Sequence, residues 1–92
     1  MKTTKEMEDV FLRFGHPEED LRQLKKAIRE ADLTLTEKKT GKEAKINSEK
    51  AVEILGMETF LSGISRSAFH ASAVRESKDG KYSVYFDLSK WW

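Results

Sequence analysis

The chain of 92 residues contains no cysteine, one proline and only five glycines. The absence of cysteine excludes disulfide bonds, thiolate metal sites and thiol catalysis. The sequence contains neither a phosphate-binding P-loop nor a Gly-rich dinucleotide fingerprint. No apolar run approaches the ~20 residues of a membrane span, and the first ten residues are too polar for a secretory signal. These absences predict a cytoplasmic protein that has no membrane association and uses no cofactor.

The chain also lacks an excess of either charge, because 17 Lys and Arg nearly balance 16 Asp and Glu, for a net charge of +1. Nucleic-acid-binding proteins usually carry a clear basic excess, so any basic patch here must arise by folding. Apolar residues recur with regular periods, which is typical of a folded, soluble domain. At this length we expect a single domain, 1–92, with one modest core and little room for a deep substrate pocket.

The N-terminal part, residues 1–32, is predicted to be helical. A Thr3–Glu6 capping box begins a helix over about 4–14, and Gly15 ends it. Pro17 begins a second helix over about 17–31. After it, residues 33–46 alternate in polarity around a Thr-Gly turn, which predicts a short β-hairpin with a charged tip.

The C-terminal part is predicted to contain further helices and a second hairpin. Asn47 or Ser48 can cap a helix that Gly56 ends, and a helical pattern resumes at Met57. Gly63 interrupts this pattern, so that Ser65 is a candidate cap of a further helix. An Asp-Gly pair at 79–80 between alternating segments is typical of a type I′ hairpin turn. The prediction is therefore an α+β domain in the order α-α-β-β-α-α-β-β, comprising two N-terminal helices, a short β-hairpin, a helix-turn-helix-like segment and a C-terminal β-hairpin.

Three segments within residues 46–92 resemble excisionase and MerR-type winged helix-turn-helix proteins. "INSEKAVEILG" (46–56) is similar to the first helix of that motif, "ISRSAFHASAV" (64–74) to the second, and "DGKYSVYFDLSKWW" (79–92) to the wing strand. The chain departs from the family at 57–63, which separates the two helices. It is also similar to small accessory proteins of Gram-positive mobile elements. The resemblance implies a DNA-binding accessory or regulatory protein that binds double-stranded DNA without a cofactor.

On this interpretation the second helix would enter the major groove and the C-terminal hairpin would act as a wing. Each candidate residue also has a structural interpretation: Ser65 as a helix cap, Arg66 as the ion-pair partner of Glu58 or Glu76, and the Ala/Ser face as a packing surface. The candidate nucleic-acid-binding residues are Lys45, Lys50, Ser65, Arg66, Ser67, His70, Arg75, Lys78 and Lys81.

Catalysis is not expected. Serines surround His70 in sequence, but no nucleophile elbow or orienting acid accompanies them. His70 has Val74 at i+4, which excludes a helical metal-binding pair there. The alternative to DNA binding is a protein–protein interaction module, with a protein partner or a second copy held by the N-terminal helices or by an exposed Trp92.

Overall fold

The structure is a computed structural model that describes residues 4–89. The elements are α1 (Lys5–Arg13), a 3-10 turn (Glu18–Asp20), α2 (Leu21–Glu30), β1 (Asp32–Glu37), β2 (Glu43–Ile46), α3 (Ser48–Leu55), α4 (Met57–His70), β3 (Ser72–Glu76) and β4 (Tyr82–Asp87). The four strands form one antiparallel sheet in the order β2-β1-β4-β3. The α+β class and the predicted order of helices and hairpins are confirmed.

The two hairpins join through β1 and β4, which places Leu33 opposite Phe86. Because side chains alternate across a strand, Leu33, Val84 and Phe86 all point into the buried core, whereas Tyr85 lies on the opposite face and is 42% exposed. The helices therefore cover one face of the sheet, and the core lies between that face and the helices.

Helix α4 is the central helix of the domain. It packs against β3, β4 and the other three helices, and it buries Phe60, Leu61 and Ile64. Gly63 lies directly against the Phe86 ring, where an added Cβ would be 2.5 Å from the ring carbon Cζ. The predicted interruption at Gly63 and the predicted helix start at Ser65 are therefore wrong: α4 runs unbroken for 14 residues. The glycine permits close packing on the sheet and does not end the helix.

Side-chain caps set several helix boundaries. Thr4, one residue after the predicted cap, accepts a hydrogen bond from the backbone N–H of Met7 at 3.2 Å. Asn47 caps α3 by accepting from the N–H of Lys50 at 2.8 Å, as one of the two predicted alternatives. Ser48 is buried and donates to the carbonyl of Ile28 at 3.0 Å, which ties the start of α3 to the end of α2.

The loop between β3 and β4 differs from the predicted type I′ turn. Gly80 has a φ of +75°, but Asp79 has no positive φ, which the first central residue of that turn requires. The N–H of Gly80 instead donates to the carbonyl of Ser77 at 3.0 Å, within a longer loop between Ser77 and Tyr82. A longer loop removes the need for a left-handed aspartate.

No helix within residues 4–89 has the length and apolarity that a membrane crossing requires. Thr3, Trp91 and Trp92, which the sequence analysis considered, lie outside the described residues.

Candidate functional site

The structure separates the predicted nucleic-acid-binding residues into different regions. Lys45 lies on edge strand β2 and donates to the Thr34 hydroxyl at 3.0 Å. Lys50 lies on α3 and pairs with Glu53 at 3.6 Å. Lys78 and Lys81 lie exposed in the loop between β3 and β4. These four lysines occupy three separate elements.

Four of the remaining candidates line one surface depression of about 360 Å³, at the side of α4 that faces β3 and the end of α1. Ser65, Arg66 and His70 come from α4, and Arg75 comes from β3. No carboxylate is among the residues that line it, so the surface is basic although the chain as a whole is nearly neutral. We call it the basic–aromatic depression; its residues are Phe14, His16, Ser62, Ser65, Arg66, Phe69, His70 and Arg75.

Two hydrogen bonds fix the guanidinium of Arg75. Its Nε donates to the Ser62 hydroxyl at 2.9 Å, and its Nη1 donates to the carbonyl of Val74 at 2.8 Å. Ser62 in turn donates to the carbonyl of Thr59 at 2.8 Å within α4. Arg75 is thus held across the gap between β3 and α4 with donors to spare, since a guanidinium carries five N–H groups.

His16 makes several contacts at this site, and no motif in the sequence points to it. Its ring stacks on Phe11 with centroids 4.2 Å apart and planes 5° apart, and Phe69 lies on a nearly parallel plane at 6.2 Å. Its Nε2 is 2.9 Å from the hydroxyl of Ser65. These contacts connect the loop after α1 to the middle of α4. No local pattern in the sequence indicates this pairing, because 49 residues separate His16 from Ser65.

Ser65, His16 and Asp20 lie in the order of a Ser–His–Asp triad, but the geometry does not support catalysis. The carboxylate of Asp20 is 3.8 Å from Nδ1 of His16, beyond hydrogen-bond distance. Ser65 lies in the interior of α4, where backbone N–H groups bond within the helix and leave no donors for an oxyanion. We therefore assign Ser65 and His16 a structural role in joining the α1–α2 loop to α4.

Ser67 and His70 differ sharply in accessibility. Ser67 is fully buried and donates to the carbonyl of Ile64 at 3.0 Å, so it contacts the core and is out of reach of a partner. His70, at the end of α4, is exposed. Arg66 is also exposed, and Glu76, one of its two expected partners beside Glu58, is instead paired with Lys38.

A second depression of about 220 Å³ adjoins the first and lies between α2 and α4. We call it the α2–α4 groove. Its lining is mostly apolar, and it shares His16, Ser65 and Phe69 with the basic–aromatic depression. The residues that line the groove are Phe11, His16, Asp20, Gln23, Leu24, Ala27, Ile64, Ser65, Ala68 and Phe69.

Two phenyl rings at this site are unusually accessible for apolar side chains. Phe69 on α4 is 61% exposed, and Phe14 at the end of α1 is 42% exposed. Protein–protein binding sites are enriched in aromatic residues and arginines relative to the rest of the protein surface.

Within residues 4–89, no three His, Asp or Glu side chains form a group that could hold a metal ion. Comparison of the chain with protein-family models, with curated proteins and with solved structures finds no match.

Proposed function

We propose that this protein is a protein–protein interaction module that binds an acidic partner segment at the basic–aromatic depression. The observation that supports the proposal is that two exposed rings, Phe69 and Phe14, share one surface with Arg66 and Arg75. No carboxylate is among the residues that line this surface. Aromatic and arginine side chains dominate the binding free energy at protein interfaces, because they combine large contact areas with directed hydrogen bonds.

The charges favour an acidic partner. Arg66 and Arg75 come from different elements, and His70 lies beside them. Opposite charges across an interface accelerate association and exclude partners of the wrong charge. A basic segment would place like charges together on this surface, so it is disfavoured.

DNA binding is a second candidate, and the gathering of Arg66, His70 and Arg75 on one surface favours it. Guanidinium groups can bind phosphates and read guanine. Two observations favour a protein partner over DNA. Ser67 is buried, and Lys78 and Lys81 do not line the depression.

A peptide-display selection tests the proposed function. The immobilised protein would be panned against a library of random 14-residue peptides, and the selected peptides would be measured by fluorescence anisotropy. We expect sequences that combine acidic and large apolar residues, with binding at least tenfold weaker to Arg66→Glu. Lys50→Glu is the matched control, because it makes the same charge change on α3, away from the depression.

Two outcomes would overturn the proposal. One is a selection that yields no peptides, or peptides that bind Arg66→Glu as well as the parent protein. The other is salt-sensitive binding of a labelled random duplex that Arg66→Ala/Arg75→Ala abolishes, in the absence of peptide binding. Contacts to phosphates release counterions, so a DNA-binding protein must lose affinity steeply as salt rises.

A further inference from the structure

The α2–α4 groove is too small for a typical small-molecule site. Its volume of about 220 Å³ falls below the roughly 300–1,000 Å³ of ligand pockets. The floor includes Ala27 from α2 and Ala68 from α4, whose short side chains leave space between the two helices. A space of this size and polarity suits one or two apolar side chains of a larger partner.

The groove is extended along both helices that form it. On α2 the lining positions span Gln23 to Ala27, with Asp20 in the preceding 3-10 turn, and on α4 they span Ile64 to Phe69. At 1.5 Å per residue, the α2 wall is roughly 6 Å long and the α4 wall roughly 7.5 Å long, each a little more than one helical turn. Two helical walls with a small-residue floor match the way in which an amphipathic helix binds in a groove, with anchors spaced at i and i+3 or i+4.

The charged residues around the α2–α4 groove determine how a partner segment bound there would be oriented. The α2 wall carries Gln23, with Asp20 in the 3-10 turn at its end, whereas the α4 wall opens onto the basic–aromatic depression with Arg66 and Arg75. A partner segment that lies in the groove and also reaches the basic–aromatic depression needs apolar side chains facing the groove. It also needs carboxylates on its side nearest Arg66. A single amphipathic helix provides both faces at once.

We propose that the partner segment is a short, acidic amphipathic helix whose apolar residues enter the α2–α4 groove while its carboxylates bind Arg66 and Arg75. This inference rests on the proposed function and specifies the conformation and the anchoring site of the partner. His16, Ser65 and Phe69 line both depressions, so one occupant can contact the two together.

The peptides selected by display on the parent protein are the probe for this inference. We expect their apolar residues at spacings of three and four, and helical circular dichroism in the complex. Ala68→Leu fills the groove floor and should weaken peptide binding at least tenfold. Ala44→Leu is the matched control, since Ala44 is exposed on edge strand β2 and gains the same volume away from the groove.

The outcomes separate the two proposals. If Arg66→Glu abolishes peptide binding while Ala68→Leu binds as well as the parent, the groove inference is overturned and the proposed function stands. Selected peptides with alternating apolar residues, bound without helical signal, would also overturn it. A selection that enriches no peptide overturns both. Thermal unfolding of Ala68→Leu, together with NMR shifts confined to residues around the groove, verifies that the variant is folded.

Discussion

At the scale of single residues, Gly63 marks a close approach of α4 to the sheet. It lies inside α4, where a glycine normally lowers helix stability by about 1 kcal/mol relative to alanine. Here the missing side chain lets the helix approach the ring of Phe86 on β4. The close approach brings α4 onto the sheet, and with it Arg66 next to Arg75 from β3. The glycine is therefore explained by packing and not by the helix boundary that its sequence context indicates.

Replacing Gly63 with alanine should destabilise the protein, although the same change stabilises most helices. The new methyl group would lie 2.5 Å from the Phe86 ring, and overpacking of this kind costs roughly 1–3 kcal/mol. Urea denaturation monitored by circular dichroism measures the free energy of unfolding. An increase in that free energy would show that the ring moves aside freely, and that the contact does not set the distance between α4 and the sheet.

Asp79 should make the loop between β3 and β4 sensitive to acid. Its carboxylate accepts hydrogen bonds from the Ser77 hydroxyl at 2.6 Å and from the N–H of Lys81 at 3.0 Å. The bond from Ser77, then the bond from Lys81, lower the pKa of Asp79 below its ordinary value of 3.8. A carboxyl group whose pKa is depressed on folding stabilises the folded loop above its unfolded pKa, and this contribution is lost as pH falls through the folded pKa.

An NMR titration from neutral to acidic pH checks this expectation. The amide of Lys81 should keep its shift down to pH values below 3.8 and then move as its bond to Asp79 is lost. Asp79→Asn, which keeps an acceptor oxygen but does not titrate, is the control and should remove the acid transition of this amide. A transition of the same size in Asp79→Asn would assign the effect to another group.

At the scale of elements, the α1–α2 loop is held against α4 by His16. The imidazole stacks on Phe11 from α1 and forms a hydrogen bond with Ser65 from α4. Because His16, Ser65 and Phe69 line both the groove and the basic–aromatic depression, this junction shapes both surfaces. Loss of the junction would change the shape of both surfaces without removing Arg66 or Arg75.

The hydrogen bond between His16 and Ser65 can be measured by a double-mutant cycle. His16→Phe keeps a stacked ring without the hydrogen bond, and Ser65→Ala removes the other partner. We expect a coupling free energy of about 1 kcal/mol, the usual contribution of a part-buried hydrogen bond. Thermal or urea unfolding of the two single variants and the double variant gives this value. Strict additivity would show that stacking alone holds the loop.

At the scale of the whole molecule, the segment that resembles a winged helix, residues 46–92, is not an independent structural unit. Strand β4 lies between β3 and β1, and β1 belongs to the N-terminal half. Helix α4 packs against α1 and α2 as well as against the sheet. Buried side chains from both halves, including Phe11 and Phe86, belong to one hydrophobic core.

A fragment of residues 46–92 should therefore fail to fold cooperatively. Without β1 it exposes an edge of β4, and without α1 and α2 it exposes part of the buried face of α4. Circular dichroism melting and NMR dispersion of the fragment, compared with the full chain, test this. A fragment with a sharp melting transition would show instead that the C-terminal part folds as a domain. That result would support the prediction of a winged helix.

Local patterns predict most of the elements of this protein. The period of the apolar residues, the cap at Asn47 and the stop at Gly56 depend on neighbours within about four residues, so the sequence predicts them; the first cap is displaced by one residue, from Thr3 to Thr4. The two hairpins are legible for the same reason. The interpretation of Gly63 failed because its cause, the Phe86 ring, lies 23 positions away along the chain.

The candidate site could be found from the sequence only in part. The sequence indicates that Arg66 and His70 are neighbours on one helix and that Arg75 lies in the strand that follows. The roles of Phe14 and His16 depend on how the α1–α2 loop packs against α4. No spacing of residues in the sequence predicts this contact. The buried position of Ser67 likewise follows from which side of α4 faces the core.

Most helices and strands can be predicted from the chain alone, because the period of the side chains and the helix caps are set by residues close in sequence. The pairing of β1 with β4, the central place of α4, and the surface shared by two arginines, two histidines and two exposed phenylalanines arise only in the folded molecule. Burial of apolar area fixes these arrangements, and it depends on the fit of distant surfaces as a whole. A chain with a net charge of only +1 can therefore present a locally basic surface after folding.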